Sequence, residues 1–141
     1  MSESYETPRS PRDEIDGVPY FPRLCHKARL HAAGRLHPQY HPNLGAGMDL
    51  WTCQFFGIEY ETLAARIRAG ASDEEALAWA RENGTPRPTH EFAWWKAFMH
   101  TRGFRDDIAE RLAQRKAESG FQDRTDILTF MDYIDADEDR M

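Results

Sequence analysis

The chain has 141 residues, a formal net charge of −6, 40% hydrophobic residues and 12% aromatic residues. This length suits one domain that buries roughly two-thirds of its unfolded surface, and the apolar content excludes a disordered chain. The acidic balance argues against a nucleic-acid-binding protein, because that affinity comes mainly from Lys and Arg on phosphates. We expect a cytoplasmic protein without a membrane span, since the sequence has neither a signal-peptide pattern nor a long apolar run.

The first 19 residues contain three prolines among mixed charges and predict an extended N-terminal arm. From residue 20 to residue 134 the apolar residues recur at helical spacing, glycines separate the runs, and no run alternates as a strand does. The pattern predicts one compact all-α domain of six or seven short helices with crossed axes and short loops, and residues 135–141 form an acidic tail. The predicted helices cover 21–33, 48–56, 59–69, the stretch between the capping box at Ser72 and Gly84, the stretch between Thr89 and Gly103, 105–118 and 125–133.

The charge is unevenly distributed. The 32 residues between Asp16 and Asp49 contain no Asp or Glu, but they contain four of the 18 Lys and Arg residues and four of the six histidines. Arg23 and Lys27 are i, i+4 neighbours on the predicted first helix, so we expect them on an exposed cationic stripe. Arg and Lys suit carboxylates and phosphates, and this stripe therefore predicts an anion-binding site. The alternative is pairing with the acidic residues that follow Asp123.

The histidines offer a second interpretation. His37 and His41 have the i, i+4 spacing of a zinc site, but Pro38 and Pro42 disfavour a helix there, so we predict no metal and keep these two as weak candidates. We also predict no cofactor. Cys25 and Cys53 match no redox or zinc motif and are interpreted as core residues.

Aromatic residues are concentrated in the predicted second and fifth helices. The simplest interpretation is a shared core, and the alternatives are an aromatic-lined pocket or a homodimer interface. The residues are Trp51, Phe55, Phe56, Phe92, Trp94, Trp95, Phe98 and Phe104.

Several short motifs resemble, in order and spacing, a bacterial family known as domain of unknown function 5069. They are Pro22-Arg23 with Lys27 and Arg29, Gly34-x-Leu36, Tyr40, Phe56-Gly57-Ile58, Ser72-Asp73-Glu74-Glu75-x-Leu77-x-Trp79, Trp95 and Arg102-Gly103. The resemblance covers roughly residues 8–134 and implies no activity, cofactor or partner. This chain has Lys96 and Phe104 where family members often have Asn and Trp, so a polar role at position 96 is in doubt.

We therefore expect a binding or regulatory module rather than an enzyme, with a small anion or an acidic protein surface as its ligand. The candidate ligand-binding residues are Arg23, Lys27, Arg29, His31, Arg35 and Tyr40. The competing hypothesis is an enzyme in which the loop histidines hold a metal or perform acid–base catalysis.

Overall fold

A short β-hairpin lies at the end of the N-terminal arm in the computed structural model, which describes residues 4–141. Strands β1 (Glu14–Ile15) and β2 (Val18–Pro19) pair antiparallel. Asp16 and Gly17 form the turn with φ of 50° and 77°, the positive values that an Asp-Gly hairpin turn requires. The arm is therefore not extended throughout as predicted, and residues 1–3 of it lie outside the described residues.

The contacts between Cα atoms divide the chain into two units, residues 1–89 and 90–141. In the first unit, α1 packs against α3, α4 and β1, and α3 packs against α2 and α4. Its helices are α1 (Phe21–Ala32), a 3₁₀ helix (Pro38–Asn43), α2 (Met48–Phe56), α3 (Tyr60–Arg68) and α4 (Asp73–Asn83). The second unit contains almost all of α5 (Thr89–Thr101), together with α6 (Ala109–Glu118) and α7 (Phe130–Asp137), which pack on each other.

The prediction of an all-α fold with six or seven short helices is confirmed, since residues 4–141 form seven α-helices and only two-residue strands. The helix boundaries predicted most accurately are those set by capping residues at the helix ends. Gly57 ends α2 at the expected residue with φ of 73°, and the Ile58 N–H donates to Cys53 O in a Schellman motif. The capping box between Ser72 and Glu75 is also present. No helix in residues 4–141 is both long and apolar enough to cross a membrane.

The last two helices begin later than predicted because side chains hold the preceding residues in turns. Asp106 accepts N–H bonds from Gly103 and Ile108, so α6 begins at Ala109 and not near Arg105. Thr129 caps α7 together with Asp132, so this helix begins at Phe130, five residues after the predicted start. It continues through Asp135, so the predicted acidic tail begins inside a helix.

The structure corrects several predicted exposures. Arg23 and Lys27, expected on an exposed stripe, are buried, whereas Ala32 at the end of α1 is exposed. In α2, whose aromatic residues predict a core helix, Leu50 is 40% exposed and Asp49 is fully buried. Such burial requires partners for the charged groups, and the structure supplies them.

Candidate functional site

A buried ion pair joins α1 to α2. Lys27 Nζ lies 2.9 Å from Asp49 Oδ1, and both side chains are almost fully excluded from solvent. The Tyr20 hydroxyl donates to Asp49 Oδ1 at 2.5 Å and accepts from Lys27 Nζ at 3.0 Å. The Gly45 N–H donates to Asp49 Oδ2 at 3.0 Å, so both carboxylate oxygens are satisfied. This buried cluster of Tyr20, Lys27, Asp49 and Gly45 connects the start of α1 to the loop that precedes α2.

Local backbone conformations shape this buried cluster. Tyr20 precedes α1 with φ of 71°, a rare value for a residue with a side chain. Gly45 has φ of 75°, and a Cβ atom built there would lie 2.9 Å from the Tyr60 ring. Gly45 therefore permits both the turn and the approach of its N–H to Asp49.

Burial and the charge of Asp49 raise the pKa values of nearby Tyr and Cys side chains, which therefore stay protonated. The pKa of Tyr20 is raised well above its usual value, first by burial and then by Asp49, so the phenol remains a proton donor. The pKa of Cys53 rises to about 12 through burial and the Asp49 charge. Burial also raises the pKa of Cys25. Both cysteines are buried and free, as predicted for core residues, and neither has the depressed pKa of a nucleophilic thiol.

Arg23, one turn before Lys27, is directed to the arm and the 3₁₀ helix. Its Nη1 donates to the Arg9 carbonyl at 2.9 Å, and its guanidinium lies over the ring of half-buried Tyr40, 5.9 Å from the centroid. Arg23 and Lys27 thus hold other parts of the first unit in place, and neither reaches the surface in this structure.

Two side chains, His26 on α1 and Arg35 just after it, contact one carboxylate. The Glu6 carboxylate lies between them, with Oε2 at 3.0 Å from His26 Nε2 and Oε1 at 3.2 Å from Arg35 Nη2. The Arg9 N–H donates to His26 Nδ1, which leaves Nε2 as the nitrogen that donates to Glu6. We refer to His26 and Arg35 as the carboxylate clamp.

The backbone of the arm is fastened at the same place. Arg35 Nε donates to Ser4 O at 3.1 Å, and the Glu6 N–H donates to Arg35 O at 3.1 Å. The arm therefore covers the clamp through one carboxylate and two backbone hydrogen bonds.

Arg29 makes a second contact of this kind. Its Nη2 lies 2.6 Å from Asp73 Oδ1 at the start of α4 and donates to Ala71 O, while Arg9 approaches the other Asp73 oxygen at 3.7 Å. The acids that pair with Lys27, Arg29 and Arg35 in these contacts come from the arm, α2 and α4. They are not the residues after Asp123 that the sequence suggested.

The two histidines considered for a metal, His37 and His41, have different ring partners. The His37 ring packs edge-on against Tyr5 at 5.0 Å, while the His41 ring packs against His31 at 4.8 Å. His41 Nε2 also lies 3.1 Å from Leu36 O. Within residues 4–141 no group of three or more His, Cys, Asp or Glu residues is arranged to hold a metal ion.

Glu6, Asp49 and Gly45 were not predicted as site residues from the sequence. Asp49 carries a usable signal, because it is the one charged residue of α2 and lies directly after a cationic segment. Glu6 carries none, since its role depends on the arm folding back onto α1. The Lys96 side chain, whose polar role was in doubt from the sequence, is half-buried.

These features define a mainly helical protein in which the first helix forms a buried Lys–Asp pair with α2 and contributes His26 to a partly exposed carboxylate clamp. The chain belongs to the family described as "Domain of unknown function (DUF5069)", whose model matches residues 5–140. No curated protein matches the chain, and no solved structure matches it.

Proposed function

We propose that the protein is a binding module that recognises a small anion or an acidic protein surface at the carboxylate clamp. One observation carries the proposal, namely that a carboxylate already lies between His26 and Arg35 at hydrogen-bonding distance from both. A guanidinium and an imidazole together suit carboxylate or phosphate oxygens.

The exposure of the side chains narrows the set of candidate ligand-binding residues. Arg35 and Glu6 have side chains about half exposed, so an external anion can replace Glu6 without opening the core. Arg29 is 38% exposed and His31 is exposed, so both can contribute at the rim. Arg23 and Lys27 are enclosed, and in this proposal they support α1 without touching the ligand.

The free energies involved favour replacement of Glu6 by an external anion. An exposed ion pair contributes only about 0–1 kcal/mol, so displacing Glu6 costs little. A phosphate or a dense cluster of carboxylates carries more charge than one glutamate and forms stronger charge-assisted hydrogen bonds. The absence of acidic residues between Asp16 and Asp49 leaves the surrounding chain segment positive. The arm then acts as an internal competitor that the ligand displaces.

The test is calorimetric titration at low ionic strength with inorganic phosphate, a dicarboxylate and a Glu-rich peptide. Glu6→Gln removes the competing charge and should tighten binding about 2–5-fold, in proportion to the value of an exposed pair. Arg35→Ala should weaken binding at least about 10-fold, because hydrogen bonds to charged groups contribute about 1.5–3 kcal/mol.

Arg68→Ala is the matched control, because Arg68 is 44% exposed and its Nη2 lies 3.9 Å from Glu61, a carboxylate outside the clamp. It should leave affinity unchanged. Equal losses for Arg35→Ala and Arg68→Ala would show a nonspecific charge effect and refute the clamp. The alternative hypothesis of an enzyme with catalytic loop histidines stays a prediction.

A further inference from the structure

Helix α5 has large apolar side chains on its solvent-facing side. Trp94 is 68% exposed and Phe98 is 38% exposed, whereas their neighbours Trp95 and Met99 are buried. At 3.6 residues per turn, Trp94 and Phe98 lie on one side of the helix with Ala97 and Thr101. His90, one turn before Trp94, packs its ring edge-on against the indole with centroids 4.9 Å apart.

The exposed aromatic surface continues past the end of the helix. The Phe104 N–H donates to Thr101 O at 3.0 Å, which places Phe104 beside the last turn, and its side chain is 44% exposed. We call this surface the α5 face, and it comprises His90, Trp94, Ala97, Phe98, Thr101 and Phe104. A contiguous apolar patch that includes a largely exposed tryptophan is typical of a protein interface.

The size of the patch matches a small dimer interface. With about 200–250 Å² for an aromatic side chain, the exposed fractions of Trp94, Phe98 and Phe104 leave about 330 Å² of aromatic surface per copy. Two copies would bury about 660 Å² of such surface. The smallest standard interface buries about 1,200 Å² in total, of which about 57% is non-polar, or about 680 Å². The aromatic residues alone therefore supply the non-polar part of a self-association interface.

The charges around the face favour one orientation. Glu91 lies in the first turn of α5, whereas Arg105 is exposed just beyond its end and stacks on Phe104 at 5.3 Å. An antiparallel arrangement of two copies brings the Glu91 end of one helix toward the Arg105 end of the other. It also places Trp94 opposite Phe98 of the second copy and opposes the two helix dipoles favourably. A parallel arrangement would bring like charges together.

We infer that the α5 face is the interface of a twofold-symmetric homodimer in which the α5 helices of two copies of this chain pack antiparallel. Such an interface is isologous, so each residue and its contact appear twice. Ala97 lies near the twofold axis, where its small side chain allows the two helices to approach at the usual 8–10 Å.

Sedimentation equilibrium from about 1 to about 200 µM tests the inference, because a functional small interface has a Kd in or below this range. The wild-type chain should sediment as a dimer of two 16.4 kDa subunits. Trp94→Glu should give a monomer across the range. Leu128→Glu is the matched control, since Leu128 is 52% exposed in the same unit but lies outside the α5 face, and it should remain dimeric.

A cross-linking measurement keeps the test independent of the folding of Trp94→Glu. Both native cysteines are buried, so under mild oxidation Ala97→Cys should form a disulfide-linked dimer, while the exposed α6 variant Ala113→Cys should not. A wild-type monomer at about 200 µM, a dimer that Trp94→Glu leaves intact, or equal cross-linking of the two cysteine variants would each overturn the inference.

Discussion

Lys27→Met should destabilise the protein far more than the loss of an exposed ion pair would. Methionine keeps the length and the apolar stem of lysine but leaves the Asp49 carboxylate buried, with Tyr20 and Gly45 as its remaining described donors. Removing one partner of a buried ion pair typically costs about 3–5 kcal/mol, because the other charge is left uncompensated. That is a large part of the roughly 5–15 kcal/mol that stabilises a domain. For a chain of this size we expect the midpoint of thermal unfolding to fall by about 10–15 °C.

Urea denaturation followed by far-ultraviolet circular dichroism measures this loss. Arg81→Met is the control, because the Arg81–Asp16 pair has a similar distance of 2.7 Å but side chains 48% and 70% exposed. We expect that variant to lose less than about 1 kcal/mol. A double-mutant cycle of Lys27→Met with Asp49→Asn should give a coupling energy of at least about 1 kcal/mol. If Lys27→Met cost no more than Arg81→Met, the argument that the buried pair fixes α1 against α2 would be refuted.

Three further predictions concern the same unit. Gly45→Ala should lower the free energy of unfolding in urea by about 1–3 kcal/mol, because a Cβ atom there meets the Tyr60 ring at 2.9 Å. The control Gly34→Ala, where φ is 71° and the space is open, should lower it by only about 1 kcal/mol. Equal losses for the two variants would contradict the packing argument. Ser72→Ala should cost about 0.5–2 kcal/mol through loss of the capping box at α4, and a neutral result would show that Glu75 alone suffices. The free energy of unfolding should keep its full value below about pH 9 and fall as the pH rises above it. The folded state raises the pKa of Cys53 from 9.0 to about 12 and raises the pKa of Tyr20 above its usual value. The unfolded state therefore releases these protons first, and rising pH favours unfolding. Tyr20→Phe should flatten this alkaline decline, and both cysteines should react with a thiol reagent at pH 8 only after unfolding.

The features predicted correctly from the sequence depend on local chemistry. Gly57 can adopt the left-handed conformation that ends α2, and Ser72 with Glu75 forms a capping box within one turn. Neither depends on where the rest of the chain lies. The Asp16-Gly17 turn was equally local and could have been recognised, since this dipeptide is a strong hairpin signal.

The features that were missed depend on contacts between distant segments. A lysine on a helix is usually exposed, and Lys27 is buried because Asp49 and Tyr20 meet it from two other segments. Glu6 reaches the clamp only because Ser4 and Glu6 also bond to Arg35. Conversely, Trp94 looked like a core residue by composition, but the buried side of α5 passes through Trp95 and Met99. When apolar residues surround most of a helix, as in α5, their periodicity alone does not determine which side of the helix is buried.

In the proposed function, the arm and an external anion compete for His26 and Arg35. The most direct measurement is an NMR titration of the isotope-labelled protein with a Glu-rich peptide, in which the amide signals of Glu6, Arg9 and Arg35 are followed. We predict that these three amides shift together, because ligand binding displaces Glu6 and with it the Arg9 N–H bond to His26. Shifts confined to other parts of the chain, or the same shifts in Arg35→Ala, would refute the competition between the arm and the anion.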